Sequence, residues 1–218
     1  GKEMLKITRL SAKFDIIPLF NGKITISSVQ LFGFNINLNK PAPHMEPNFK
    51  FVLDAFASKD TVKTKKDIDL PINSILIRRG KLSYDVLSEE ETPGKFNPQH
   101  IKLHNIIANI SLKALQNDSI NAAIKRLSVD EQSGFELRKL SLKVIANNKG
   151  MKIENFAIEM PGTEMKMDTI RMEYDSLKAL NHFADNVRFS FRTLPSHVTL
   201  NDISAFVPAL SNFKEKLD

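Results

Sequence analysis

The chain contains no cysteine and no tryptophan, and only two tyrosines. The first absence excludes disulfides, thiolate metal sites and cysteine nucleophiles. It says little about compartment, because cysteine-free proteins occur in both the periplasm and the cytosol. The second removes the side chain most used to stack on sugars, which disfavours a secreted carbohydrate-binding sandwich. With so few aromatics interleaved among its cations, the chain also lacks a stacking platform for nucleic acid. Long apolar runs are missing too. The longest, around Ile16–Phe20, falls far short of the ~18 residues that can span a bilayer, and no signal-peptide pattern is visible.

Catalytic signatures are equally scarce. There is no G-x-S-x-G, no P-loop, no H-E-x-x-H and no G-x-G-x-x-G. His100 and His104 have the spacing of a helical metal pair, but they lie in a strand-patterned run. At ~3.3 Å per residue they stand about 13 Å apart, too far for one ion. Glu89, Glu90 and Glu91 form a charge run in a loop-like stretch, which reads as solvated surface. A chain with no catalytic residue, no cofactor and no metal is expected.

What is present is a large, evenly spread apolar content. Apolar residues make up 42% of 218, enough for a packed core without staples. The net charge is +6, but cations and acids are interleaved, as in "ELRKLSLK" (136–143) and "KMDTIRMEYD" (166–175). That pattern describes a solvated mixed-charge face, with a secondary attraction to anionic lipid headgroups.

The apolar residues follow a beat, φ-x-φ-x-x-φ-x-φ. In "MKIENFAIEMPGTEMKMDTIRMEYD" (151–175), Met151 and Ile153 are followed by Phe156, Ile158 and Met160. Met165 and Met167 are followed by Ile170, Met172 and Tyr174. The same beat fits Leu5/Ile7/Leu10/Ala12, Ile24/Ile26/Val29/Leu31, Leu70/Ile72/Ile75/Ile77 and Ile101/Leu103/Ile106/Ala108. It fits Ala122/Ile124/Leu127/Val129 and Phe135/Leu137/Leu140/Leu142, and more loosely Val187–Leu194. Period two means strands. The skipped pairs are mostly polar: Thr8-Arg9, Ser27-Ser28, Asn73-Ser74, His104-Asn105, Lys125-Arg126, Arg138-Lys139, Glu154-Asn155 and Asp168-Thr169. None is the Asn-Gly or Gly-Gly pair of a two-residue hairpin. Either each skip is a β-bulge that keeps both apolar sets on one face, or each strand crosses from one face to the other. Both alternatives curve the sheet.

Turn residues at Asn21-Gly22, Ser133-Gly134, Asn148–Gly150 and Pro161-Gly162 leave loops too short for parallel crossovers, so an antiparallel meander is predicted there. Three short helices are predicted: one capped by Asn48 and carrying Phe49, Val52, Leu53 and Phe56; one after Asp175 carrying Leu177, Leu180 and Ala184; and one after Asn201, interrupted by Pro208. The stretches 39–48 and 88–98 are rich in proline or acidic residues, and suggest a subdomain joint and a loop within one elongated β domain spanning 1–218.

"LSAKFDIIPLFNGKITISSVQLFGFNINL" (10–38) resembles the N-terminal pattern of the AsmA-like superfamily, through Pro18, Leu19, Gly22, Ile24, Ile26, Val29 and Leu31. "LPINSILIRRGKLSYD" (70–85) is similar to the strand–Gly–strand units that follow in that family. Residues 135–180 and 194–210 look most like TamB-type translocation and assembly module proteins. The resemblance implies a mainly β fold, a curved antiparallel sheet of the β-taco or repeating β-groove type with a few short helices. It also implies a periplasmic protein anchored in the inner membrane, conducting phospholipid or assisting outer-membrane protein assembly with an Omp85-type partner. The chain opens on Gly-Lys-Glu, has no membrane helix and lacks the family's C-terminal domain. An N-terminal periplasmic fragment is therefore expected. The residues expected to line a lipid groove are Leu140, Leu142, Ile153, Phe156, Ile158, Met160, Met165, Met167, Ile170 and Met172. The clustered methionines suit an adaptable apolar surface. The alternative expectation is a non-enzymatic scaffold in which the same residues form a closed core.

Overall fold

The computed structural model describes residues 3–15, 20, 26–57, 72–116, 119–176, 187–204 and 216–217. Nine strands form one sheet in chain order. They are β1 (Leu5–Phe14), β2 (Ile26–Lys40), β3 (Ser74–Val86), β4 (His100–Gln116), β5 (Ser119–Glu131), β6 (Glu136–Asn147), β7 (Gly150–Glu159), β8 (Glu164–Glu173) and β9 (Arg188–Thr193). The sheet is mixed, mostly antiparallel and not closed into a barrel. A second, two-stranded sheet pairs β10 (Val198–Thr199) with β11 (Lys216–Leu217).

Seven of the eight ladders are antiparallel, as the short turns predict; β2 and β3 run parallel. A parallel step needs a long connection, and residues 41–73 supply one, including helix α1 (Lys50–Ala57). This helix falls where the apolar spacing places it. Asn48, however, does not cap it. Its Oδ1 accepts from the Asn39 amide at 3.0 Å and its Nδ2 donates to the Asn37 carbonyl at 2.9 Å, so it ties down the end of β2. The helix predicted after Asp175 and the Pro208 segment lie outside the described residues, as does the Asn21-Gly22 turn. Near Asn201 the described chain forms a single 3-10 turn, Leu200–Ile203.

The skipped beats are β-bulges. Ile124 pairs with Leu142 and Leu127 with Leu140, so Lys125 and Arg126 together oppose Ser141. One rung on, Arg138 and Lys139 oppose Ser128. In the same way His104 and Asn105 oppose Lys81, and Asn155 and Phe156 oppose Leu142. Ser27 is extra in β2 and Asp168 in β8. The backbone reaches the left-handed region at Asn105 (φ 53) and Asn155 (φ 53), a conformation asparagine tolerates better than most residues. Two expected skips are not bulges. Thr8-Arg9 sits in an unbroken register with β2, and β3 begins at Ser74, so the Asn73-Ser74 skip falls at the very start of the strand, where Ser74 to Ile77 pair without a shift. One further break falls where glycine interrupts the apolar beat, at Arg79 (φ 55) beside Gly80; Gly33 (φ 66) lies in unbroken register with both neighbouring strands.

Bulges bend strands and increase their local twist. Ones recurring across the sheet, at similar heights on neighbouring strands, give it a systematic curl.

Candidate functional site: a continuous apolar sheet face

Directly opposed residues share a face, so the register decides between the two accounts of the skip. One cross-strand row runs Leu10, Leu31, Ile77, Ala108, Leu127, Leu140, Ile158, Met165, passing through eight consecutive strands. A second runs Ala12, Val29, Ile75, Ile110, Ile124, Leu142. A third runs Ala122, Val144, Ile153, Ile170, Phe191. A fourth runs Ile120, Ala146, Met151, Met172, Phe189. In β6 the first row meets Leu140 and the second Leu142, on either side of Ser141. In β5 they meet Leu127 and Ile124, on either side of the bulge. In β5 and β6 both apolar sets therefore lie on one face, and these strands do not cross over.

Nine of the ten residues expected to line a groove belong to this face. Phe156 pairs with Met167 between the first and third rows. These nine are half-buried, neither sealed nor bare. Met160 is the exception. It is buried at the turn after β7, where its amide donates to the Thr163 carbonyl at 2.9 Å, so it closes a strand end.

A closed sandwich would seal its inward side chains. Among the described residues, no large side chain is fully buried. Those that come close, Phe34, Val86, Leu137, Tyr174 and Val187, lie near glycines, strand ends or bulges. Phe34 shows how one such spot is made. Its ring lies where a Cβ on Gly80 would be, 2.4 Å from that position, so glycine is required there for close approach rather than for its φ. Meanwhile Leu5, Leu10, Phe14, Phe189 and Phe191 are about half exposed or more. The Phe189 and Phe191 rings stack at 6.1 Å with a 9° interplanar angle.

The opposite face is charged. Lys139 and Glu159 face each other across β6 and β7, 2.9 Å apart, and Lys143 and Glu154 do so at 2.7 Å. Lys152 also pairs with Glu154, and Lys166 with Glu164. Arg188 reaches Glu173 at 3.2 Å. Hydrogen bonds from Lys143, then Lys152, lower the Glu154 carboxyl to a pKa of about 2. Toward β1 the pattern changes: Phe32 is flanked by the Arg9 and Arg79 guanidinium groups, each 5.3 Å from its ring centroid, a cation–π sandwich.

One polar cluster escapes sequence reasoning. Ligand atoms of Asp85, Glu91 and His100 lie within 4.8 Å of one another at the joined ends of β3 and β4. A loop separates these residues in the chain, so no spacing motif announces them. His100 is buried, with Nδ1 3.1 Å from Asp85 Oδ1 and Nε2 3.0 Å from the Glu89 carbonyl. Both neighbours accept only, so both contacts become hydrogen bonds when the ring carries two protons. Lys102 Nζ sits 2.9 Å from Glu91. Glu91 thus already has a cationic partner and Asp85 an imidazole neighbour, and the cluster is a polar clasp on the 87–99 loop. His104 is exposed and lies 3.7 Å from Asp130, taking no part in the clasp.

Among the described residues, no helix is long and apolar enough to cross a membrane. Comparison with protein-family models, curated proteins and solved structures finds no match.

Proposed function

We propose that this chain is a periplasmic segment of an envelope-biogenesis protein that holds or conducts phospholipid acyl chains along its apolar sheet face. One observation carries the proposal: apolar rows run unbroken through as many as eight strands, with no second sheet stacked over them among the described residues. The face is far more extended than the isolated apolar patches of ordinary soluble surfaces. Acyl chains laid on it leave water at about 25 cal/mol per Å² of apolar area. Headgroups stay in solvent, and the charged opposite face keeps the sheet soluble. The process is passive, needing no catalytic group, cofactor or metal. In the full-length protein an inner-membrane anchor and an Omp85-type partner complete the path, in keeping with the resemblance to TamB-type proteins.

Native mass spectrometry of the purified chain tests the proposal. Bound phospholipid is expected, and its loss is expected in Ile158→Asp and Met167→Asp with circular dichroism unchanged. Lipid-free protein that captures an outer-membrane assembly partner would instead establish the interaction scaffold. If the two variants unfold, Ile158 and Met167 are core and the conduit is wrong for this region.

A further inference from the structure

We propose that the outer face of β1–β5, opposite the apolar rows, is a docking surface for an anionic phospholipid bilayer. Arg9, Phe32 and Arg78 oppose one another across β1, β2 and β3. They adjoin the apolar row of Leu10, Leu31 and Ile77 by one residue in each strand, so they point to the other side. Arg79 reaches that side too, because its guanidinium, like that of Arg9, lies 5.3 Å from the Phe32 ring centroid. The next row on the same side runs Ser11, Gln30, Leu76, Asn109, Arg126. All four arginines are exposed. At ~4.8 Å per strand, they spread over about 19 Å of the sheet.

None of the four makes an ion pair among the described residues. β1, β2 and β4 contain no aspartate or glutamate. The acids of β3 and β5 are Asp85, Asp130 and Glu131, all at strand ends. They are engaged there: Asp85 lies 3.1 Å from His100, Asp130 accepts from Asn105 Nδ2 at 2.6 Å, and Glu131 accepts from the Ser133 amide at 2.7 Å. β6–β9 are built otherwise. Arg138, Arg188 and Arg192 pair with Glu136, Glu173 and Asp168. Of the arginines in those strands, only Arg171 makes no ion pair among the described residues. Solubility alone gives no reason for this division of the face. Guanidinium groups bind phosphate through a planar fork of donors, and cations this widely spread are met together only by an extended array of anions. A folded protein partner would anchor on large apolar side chains at the centre of the contact. Here the central ring, Phe32, is half-buried and flanked by two guanidinium groups. A plane of lipid phosphates needs no such anchor.

The test is flotation of the full chain with lipid vesicles. Vesicles of phosphatidylglycerol and phosphatidylcholine in equal parts are expected to carry the protein, less so as salt rises. Pure phosphatidylcholine vesicles are expected not to. Arg9→Gln/Arg78→Gln/Arg79→Gln, with circular dichroism unchanged, should bind the anionic vesicles about 100-fold more weakly, roughly five-fold for each cation near the surface. Arg126→Gln, away from the Phe32 ring, should cost about five-fold by the same reasoning. Arg138→Gln/Arg188→Gln/Arg192→Gln removes as much charge as the first triple variant and should bind like the wild type. If the two triple variants weaken binding equally, net charge alone attracts the chain and the proposal fails. It fails too if neutral vesicles bind as well as anionic ones, or if neither binds. Polyglutamate binding as tightly as the anionic vesicles would make an acidic polypeptide the occupant and overturn the bilayer. Ile158→Asp separates this surface from the apolar face: it should lose co-purified lipid yet keep vesicle binding. Loss of vesicle binding in that variant would assign the contact to the apolar face instead.

Discussion

The two faces of β6–β8 are built from the same strands and differ in what holds them. The apolar face is continuous and half-buried; every pair on it is generic, Leu140 on Ile158 or Ile153 on Ile170. The other face is specific and wet, with Glu154 shared between Lys143 and Lys152. Surface ion pairs contribute little to stability, so the apolar face carries most of the energy and the charged face mainly sets register and solubility. The bulges keep the two populations apart. Without them, the extra residue in each strand would send half of its apolar set to the charged side.

That contrast can be broken from either face. The largest effect is expected from Ile158→Asp and Met167→Asp, which place a charge among the apolar rows and should eliminate bound lipid in native mass spectrometry. Next comes Gly80→Ala. Its Cβ would meet the Phe34 ring at 2.4 Å and the Ile106 Cβ at 3.0 Å, an overpacking cost of about 1–3 kcal/mol. Chemical denaturation should show the loss, and Phe34→Leu in the same background should recover part of it. Asn155→Val tests the bulge itself. Its φ of 53 costs a β-branched residue about 1–2 kcal/mol, whereas Asn155→Gly should unfold at or above the wild-type midpoint.

The smallest effect is on the charged face. The Glu154 pKa is depressed from 4.5 to about 2, so its contribution is complete above about 4.5 and fades as pH falls toward 2. An NMR titration of its side-chain carboxyl should show a midpoint near 2. Lys143→Met should raise it more than Lys152→Met, because the Lys143 hydrogen bond is the larger cause.

The β architecture was legible because each strand carries its own period-two signal. The bulges at Lys125, Arg138, Asn155 and Asp168 were legible because each skip is flanked by strong apolar residues. The one at Arg79 was not, since Gly80 stands where the beat requires an apolar residue. Which account of the skip was correct could not be read from one strand. Whether Leu140 and Leu142 share a face with Leu127 and Ile124 is a property of the ladder between β5 and β6. The parallel step was hidden for the same reason, as nothing within β2 or β3 states the direction of its neighbour. Met160 kept the apolar beat but stands beyond the last rung of β7, where the turn to Thr163 buries it. The clasp of Asp85, Glu91 and His100 depends on a loop that brings distant acids to one imidazole.

The parallel joint between β2 and β3 has a further consequence, one of parity. Nine strands alternating strictly would leave the first and last running in the same direction. One parallel step inverts the phase, so β1 and β9 run in opposite directions. A unit of this design can therefore be followed by another in the same plane, β9 beside the next β1, with every new rung antiparallel. The joining turn can be a short hairpin, because the chain leaves each unit already facing the way the next must begin.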